Sequence, residues 1–366
     1  MTQNGKPVHD DVAEKMKPME MPLLGESPLV SVLMGNYNYG HYIGEALDSV
    51  LGQTYSNFEV IVCDDGSTDD SREVVARYCK RDSRIRMIVK ENGGLATALN
   101  AAYAASRGEI VCLLDADDVY MPEKLERVVG AFKKHGRGGV CIHRLIRMDK
   151  NGRTFSYPRP VILNEGWVGP QALRGGAHVK YFPPTSGISF RRPVTDLLFP
   201  TYPNLRRCVD GYLASTAQFF TEILAVDGAL ANLRIHGENI WSKAVFTADS
   251  FDGFLEDLKV VLNLQKEFLA IHCGSDIAER LRLNDCAHYW NFLLALHILT
   301  GGHSKSVRGE QVQTVIERIH PYRMRLLVRI LLALPNAISR RALASWTGPS
   351  KGTAMFARMA RSALRI

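Results

Sequence analysis

The sequence predicts an α/β fold: an open, mostly parallel sheet flanked by helices, with a helical C-terminal region. Three observations carry this. Between residues 29 and 114, short apolar runs alternate with segments whose apolar residues recur at helical spacing. The connections between them are short, as in a parallel sheet with right-handed crossovers. Polar clusters follow the first, second and fourth apolar runs, at the edge of such a sheet where ligands bind.

Taken in order, residues 1–27 are polar, carry Met and Pro and lack a period, so a flexible N-terminal arm is expected. Residues 29–34 form the first strand and end in Gly35-Asn36-Tyr37-Asn38-Tyr39-Gly40. Residues 42–53 place Ile43, Leu47, Val50 and Leu51 at helical spacing. The second strand, 58–63, runs into Asp64-Asp65-Gly66-Ser67-Thr68-Asp69-Asp70, where Ser67 followed by Asp70 resembles a capping box. A helix through Val74, Val75 and Tyr78 precedes the third strand, 85–89. Asn92-Gly93-Gly94 turns the chain into an Ala-rich helix, 95–106. The fourth strand, 110–114, ends in Asp115-Ala116-Asp117-Asp118, and Met121-Pro122-Glu123 looks like a helix start. Further on, 140–146 and 187–192 read as strands, 210–220 as a helix and 223–226 as a short strand. From Phe251 the pattern is helical through Phe254, Leu258, Val261, Leu262, Leu264 and Phe268. This divides the chain into a catalytic domain, 28–245, with halves 28–130 and 131–245, and a helical region, 246–366.

Hydrophobic residues at 46% and charged residues at 23% are ordinary for a soluble globular protein. Seven scattered cysteines without a CxxC pair read as buried thiols in a reducing compartment and argue against structural zinc. The N-terminus lacks an apolar core of the signal-peptide kind, and no apolar run approaches the roughly 20 residues that span a bilayer. A cytoplasmic protein is therefore expected. The net charge is +7, but ten Lys and Arg and no carboxylate fall from Arg318 onward, leaving a net charge of −3 (+7 less ten) on the rest. That tail joins Leu326, Leu327, Ile330, Leu331 and Leu334 with Arg323, Arg325, Arg329, Arg340 and Arg341. It reads either as a basic amphipathic helix lying peripherally on an anionic membrane or as a helix packed on the catalytic domain. Nothing in the charge pattern calls for nucleic acid.

Three carboxylates in four positions at the mouth of a buried strand repel one another and raise each other's pKa. Hard oxygen ligands of this kind suit Mg²⁺ or Mn²⁺ bridging to a substrate's phosphates; a solvated acidic turn capping the next helix is the other reading. No G-x-G-x-x-G follows a strand, and Gly35 to His41 lacks the Lys and hydroxyl of a P-loop.

The run from Val30 to Asn38, then Leu51-Gly52-Gln53-Thr54-Tyr55, the run from Glu59 to Asp69, Asn92-Gly93-Gly94, and the run from Gly108 to Asp118 together resemble the family 2 glycosyltransferases. The resemblance is dense over 28–130 and thin to about residue 240. It implies a GT-A fold, a nucleotide-sugar donor (a UDP-sugar first, dTDP- and GDP-sugars behind it), a divalent metal and inversion at the anomeric carbon. Gly35, Asn36 and Tyr37 would lie along the donor's base, Tyr37 packing on it. Asp65 would accept its imide N–H, with Asp64 supporting the turn. Asn92 and Gly94 would wall the nucleoside. Asp115 would approach the ribose, with Ala116 in the same loop, while Asp117 would bind the metal and Asp118 would assist there or hold the loop. His236 would ligate the metal or a phosphate; without the resemblance it is a surface histidine. Asp210 would be the catalytic base, where an isolated reading gives a helix N-cap. Thr185-Ser186 and 187–192 resemble the segment lining the acceptor side. One departure is Leu99, where many relatives carry Arg. The acceptor implied is a glycan or lipid-linked sugar. A sugar nucleotidyltransferase, or a binding module without chemistry, is the competing expectation, though Tyr37-Asn38-Tyr39 offers no charge for a triphosphate.

Overall fold

The computed structural model of the protein describes residues 16–175, 182–203, 205, 208–237, 248–286, 289, 290, 292, 293 and 296. The chain divides into two compact units, Met1–Ile235 with Leu264–Arg280, and His236–Asn263 with Leu281–Ile366. The basic tail expected beyond residue 320 lies outside the described residues, as does the start of the N-terminal arm.

The predicted strands are present as β1 (Val30–Asn36), β2 (Phe58–Asp64), β3 (Ile85–Val89) and β4 (Ile110–Leu113). Helices α1 (Gly40–Leu51), α2 (Ser71–Arg81) and α3 (Leu95–Ala105) connect them. There follow β5 (Val119–Tyr120), α4 (Lys124–Lys134), β6 (Gly138–Asp149), α5 (Gly169–Arg174) and β7 (Ile188–Arg191). Then come α6 (Arg192–Leu198), α7 (Val209–Ala217), β8 (Glu222–Ile235) and the long α8 (Ala248–Cys273). The sheet has eight strands in the order β3-β2-β1-β4-β7-β6-β8-β5. From β3 to β4 neighbours run parallel; β7 then lies antiparallel to both β4 and β6, β8 returns parallel to β6, and β5 closes the edge antiparallel to β8.

The central strands are apolar in unbroken runs because both faces of the sheet are covered. Every residue of β2 is buried. On one face α1 buries Ile43, Ala46, Leu47 and Val50, an i, i+3, i+4, i+7 stripe, against Val32 and Met34 of β1 and Val60 and Val62 of β2. α4 adds Val128 and Phe132 to the same core.

The N-terminal edge of these strands is closed by a polar network. Ser31 and Glu59 are register partners in β1 and β2. The Ser31 hydroxyl donates to Glu59 Oε1 at 2.7 Å and accepts the Gly108 N–H at 2.7 Å. Glu59 also receives the Arg107 N–H at 2.6 Å and the Arg86 guanidinium at 2.6 Å. Burial opposes the Glu59 charge, but these bonds outweigh it and hold the pKa below its ordinary value.

Four features differ from the expectation. The capping box is displaced: α2 starts at Ser71, whose N–H is accepted by Asp69 Oδ1 at 3.0 Å, and Ser67 bonds across to the β1 loop instead. β8 runs 14 residues rather than four, because Gly228 (φ +91°) lets the chain pass a bulge opposite Arg144 and resume pairing. The two-residue β5 and the seven-residue α6 are too short for a periodic signal. Finally, the described part of the arm is anchored rather than loose. Met16 is buried, the Met19 N–H bonds the Phe220 carbonyl at 2.7 Å, and Pro22 O accepts from buried Arg191 at 2.5 Å.

Because the Glu59 pKa is depressed in the fold, its stabilisation is complete above the unfolded pKa near 4.5 and fades as pH falls through the folded value. Glu59→Gln is expected to cost about 1–3 kcal/mol at neutral pH. Denaturant melts from pH 7 to pH 3 should show the wild type losing this margin and the variant having none to lose.

Candidate active site

β1, β2 and β4 end at one rim, and the register sets what meets there: Asn36 pairs with Asp64, and Leu33 with Leu113. Asn36 is buried and donates Nδ2 to Asp64 Oδ2 (3.0 Å) and Ser67 Oγ (3.2 Å), so its role is to join β1 to the β2 turn. Asp64 Oδ1 receives the Ser67 N–H (3.0 Å) and Arg72 Nε (2.8 Å). Burial raises the Asp64 pKa, but the Ser67, Arg72 and Asn36 bonds win and hold it low. It supports the turn, as expected.

Asp65 reaches the next turn. Its Oδ1 accepts Lys90 Nζ at 2.6 Å and the Gly93 N–H at 3.0 Å, and Oδ2 accepts the Gly94 N–H at 2.7 Å. Gly94 (φ +88°) opens α3, and Gly66 (φ +84°) has no room for a side chain, since a Cβ there would lie 2.8 Å from Asn92 N. Gly66, Arg72, Val89, Lys90, Glu91 and Asn92 line an open cleft of about 620 Å³. Tyr37 stands half-exposed on the same rim. Its neighbour Asn38 (φ +60°) is fixed by its N–H to Ser67 Oγ (2.9 Å) and by the Thr68 N–H to its Oδ1 (2.8 Å). Gly35 has a packing reason: a Cβ there would come within 2.6 Å of Leu95 in α3. Leu99 is core, and the following Asn100 pins Thr201 through three hydrogen bonds, so α3 sends no cation to the site at that position.

The acidic loop is gripped from beneath. The Leu114 N–H bonds Leu33 O at 3.0 Å, extending the β1–β4 pairing one residue past β4. The Ser186 hydroxyl accepts the Asp115 N–H (3.2 Å) and donates to Asp118 Oδ2 (2.6 Å). The other oxygen of Asp118 takes the Arg234 N–H at 2.9 Å. Arg234, 1% exposed, then bonds Asp117 O with Nε (2.8 Å), Lys150 O with one terminal nitrogen (3.2 Å) and Glu45 Oε2 with the other (2.5 Å). Its guanidinium lies 4.7 Å from the centre of the Tyr42 ring. Beneath the loop Lys124 is fully buried, 3.5 Å from the centre of the Tyr120 ring and 3.4 Å from Ser186 O; burial pulls its pKa down to about 8.

Asp118 is fully buried, Asp117 is 8% exposed, Ala116 is buried between them and Asp115 is partly open. Burial raises the pKa of Asp115, and the charges of Asp117 and Asp210 raise it further. Asp118 is raised by burial and then by Asp117 and Asp115. Asp210 stands in the first turn of α7, after a left-handed Cys208, and is not the N-cap residue. Burial raises its pKa against the pull of the Gly211 N–H and of Thr185. Thr185 lies beside both Asp115 and Asp210 and pulls the pKa of each down. The structure therefore brings Asp115, Asp117, Asp118 and Asp210 into one electrostatic cluster edged by Thr185 and Ser186. His236 follows β8 as the first residue of the second unit. Among the described residues no three carboxylate, imidazole or thiol groups form a ready metal cage.

The sequence model of glycosyl transferase family 2 matches residues 31–198, which hold the rim and the acidic loop. An uncharacterized glycosyltransferase of Nostoc sp. is 39% identical over 214 residues, covering 57% of this chain and 66% of that one. Residues 31–198 belong to glycosyl transferase family 2. This glycosyltransferase is also 37% identical over 123 residues to the hyaluronan synthase of Pasteurella multocida, but that covers 34% of this chain and only 13% of the synthase. Among solved structures, S. aureus TarS 1-349 superposes with a TM-score of 0.54 at 18% identity, covering 87% of this chain and 90% of that one. The shared architecture is the GT-A fold.

Sequence reasoning missed Lys90, Glu45 and Lys124, and assigned Arg234 no contact. Lys90 had a signal, since a cation directly before the Asn92-Gly93-Gly94 turn is the natural partner of a carboxylate at the adjacent strand end. Glu45 and Arg234 are 189 residues apart and had none. Arg234→Lys keeps the charge but loses the fork that reaches three elements at once. It is expected to lower stability by about 1–3 kcal/mol and to weaken nucleotide binding, read by thermal melts and calorimetry.

Proposed function

We propose that this glycosyltransferase moves a sugar from a nucleoside-diphosphate sugar, a UDP-sugar first, to an acceptor hydroxyl with inversion at the anomeric carbon, assisted by Mn²⁺ or Mg²⁺. The observation that carries the reading is that buried Asp115 feels the charges of both Asp117 and Asp210. A chain that gathers carboxylates so and raises the pKa of Asp115 favours a cation among them.

The donor set fits a divalent cation of the hard, oxygen-liganded kind. Without a closed cage, one or two carboxylates, Asp117 foremost with Asp118 behind it, would share the ion with the diphosphate oxygens. Bound there, the cation offsets charge on the leaving diphosphate as a Lewis acid. The remaining work falls to the chain. Tyr37 would lie on the base and Asp65 would accept an imide N–H, its Oδ2 having only the Gly94 N–H as partner and so room for a second bond. Asn92, which lines the cleft, and Gly94 would wall the nucleoside, and Asp115 would lie on the ribose side. Asp210 takes the proton of the attacking hydroxyl; a raised pKa suits a base working near neutrality. Thr185, beside both Asp115 and Asp210, stands between the base and the donor end. The UDP and UDP-GlcNAc held by TarS in its complexes support a uridine donor on this fold. The hyaluronan and chondroitin synthases among the relatives support a glycan, a lipid-linked sugar or another polysaccharide precursor as acceptor.

Calorimetry of UDP with and without Mn²⁺ tests the donor half. Binding that needs the ion and is lost in Asp117→Asn is expected; no binding of any nucleoside diphosphate would sink the reading. Asp210→Asn should leave that binding intact and lower turnover by about 10²–10⁴-fold, so unchanged turnover would remove Asp210 as base.

The raised pKa values also set a pH dependence. The cation favours ionised carboxylates, so its binding releases protons from Asp115 and Asp118. Mn²⁺–UDP affinity should therefore rise with pH and level off once both are ionised. Titrations in buffers of different ionisation enthalpy should report that proton release.

A further inference from the structure

Among the described residues, nine large apolar side chains are exposed, and four of them, Phe155, Tyr157, Val161 and Ile162, fall within eight positions. They belong to the excursion between β6 and α5. Its first part folds back on β6 as an antiparallel ribbon: Met148 bridges Thr154, the Phe155 N–H bonds Arg147 O at 2.9 Å, and Leu145 bridges Arg159. Residues 153, 155 and 157 share one face of the returning segment by the two-residue period, and Arg147 is the cross-strand neighbour of Phe155. Met148, on the other side, is buried, so that face is turned to solvent. Tyr157 is 80% exposed and Phe155 53%.

The same stretch is cationic. Residues 147–162 hold Arg147, Lys150, Arg153 and Arg159 against one carboxylate, Asp149. Asp149 is spent within the turn, its Oδ1 accepting the N–H groups of Asn151 (2.8 Å) and Arg153 (3.0 Å). Arg147 is exposed on the ribbon, two residues along β6 from Leu145, whose backbone pairs with Arg159. Among the described residues neither Arg147, Lys150 nor Arg159 has an acid within ion-pair distance. Two arginines on one ribbon without a carboxylate, beside protruding rings, leave an anion as the missing partner.

We infer that the ribbon 147–162 docks the protein on an anionic lipid surface, its aromatic and aliphatic side chains entering the headgroup layer and its arginines and Lys150 pairing with lipid phosphates. The shape favours lipid over a folded partner. An exposed two-stranded face needs no complementary hollow in a bilayer, where Phe and Tyr settle at the interface and long cationic side chains reach back to the headgroups. The turn of the ribbon is tied to the acidic loop, because the Arg234 guanidinium that bonds Asp117 O also bonds Lys150 O. A docked ribbon thus holds the rim close to the lipid surface. The inference does not depend on the donor or the reaction.

The test is sedimentation of the full chain with phosphatidylcholine vesicles, with and without phosphatidylglycerol. Binding that requires phosphatidylglycerol and weakens with salt is expected. Phe155→Ser with Tyr157→Ser, and separately Arg147→Gln with Arg153→Gln and Arg159→Gln, should each lower partitioning about tenfold or more, with the thermal melt and Mn²⁺–UDP binding unchanged. The second set keeps the test decisive if the first fails to fold. Wild-type protein that ignores phosphatidylglycerol overturns the inference. So do variants that bind like wild type, which would put lipid contact elsewhere in the chain. Ribbon-dependent binding of dextran sulfate that vesicles fail to displace would assign the face to a soluble polyanion and also overturn it.

Discussion

The site depends on one buried arginine. Arg234 is nearly absent from solvent, and its backbone and side chain together bond two consecutive residues of the acidic loop, the carboxylate of Asp118 and the carbonyl of Asp117. The remaining nitrogens reach α1 through Glu45 and the end of β6 through Lys150. A guanidinium is suited to this because its planar fork serves several acceptors at fixed angles and its charge is less strongly hydrated than that of an ammonium. Three crowded carboxylates would otherwise splay the loop. Arg234 and Ser186 hold its backbone in place and take up the charge of Asp118.

The carboxylates of the rim divide by what surrounds them. Asp64 and Asp65 are enclosed by donors, a strand end and a turn, and Asp118 spends both oxygens on Ser186 and Arg234. Asp115 and Asp210 share Thr185 and feel negative neighbours or burial more than donors. The first group organises the backbone; the second retains the electrostatic tension that chemistry uses. The same residue type therefore does opposite work a few ångströms apart, and only the third dimension separates the two.

That division explains what the sequence made legible. β1, β2 and β4 were readable because they are buried as unbroken apolar runs, and α1 to α3 because their buried residues recur at helical spacing. The rim was readable because parallel strands must end together. β5, α6 and most of β8 were not: β5 is two residues long, α6 begins at an Arg-Pro pair inside a proline-rich stretch, and β8 is broken in the middle by a glycine bulge. The resemblance to a known family supplied Asp210, which pattern reading alone gives as a cap. Neither route found Lys90 or the bond between Glu45 and Arg234, since ion pairs formed by folding leave no periodic trace.

The Asp65 turn has a consequence for how the cleft meets a ligand. Asp65 already holds Lys90, Gly93 and Gly94, and Gly66 already presses against Asn92, before anything enters. The wall of the cleft is thus ordered by the fold and not by an occupant. Little conformational entropy remains to be lost there on association, and a rigid-body view of the empty cleft is a fair guide to the filled one. Selectivity among ligands then rests on a shape set in advance, and remodelling it means changing the turn and not the ligand.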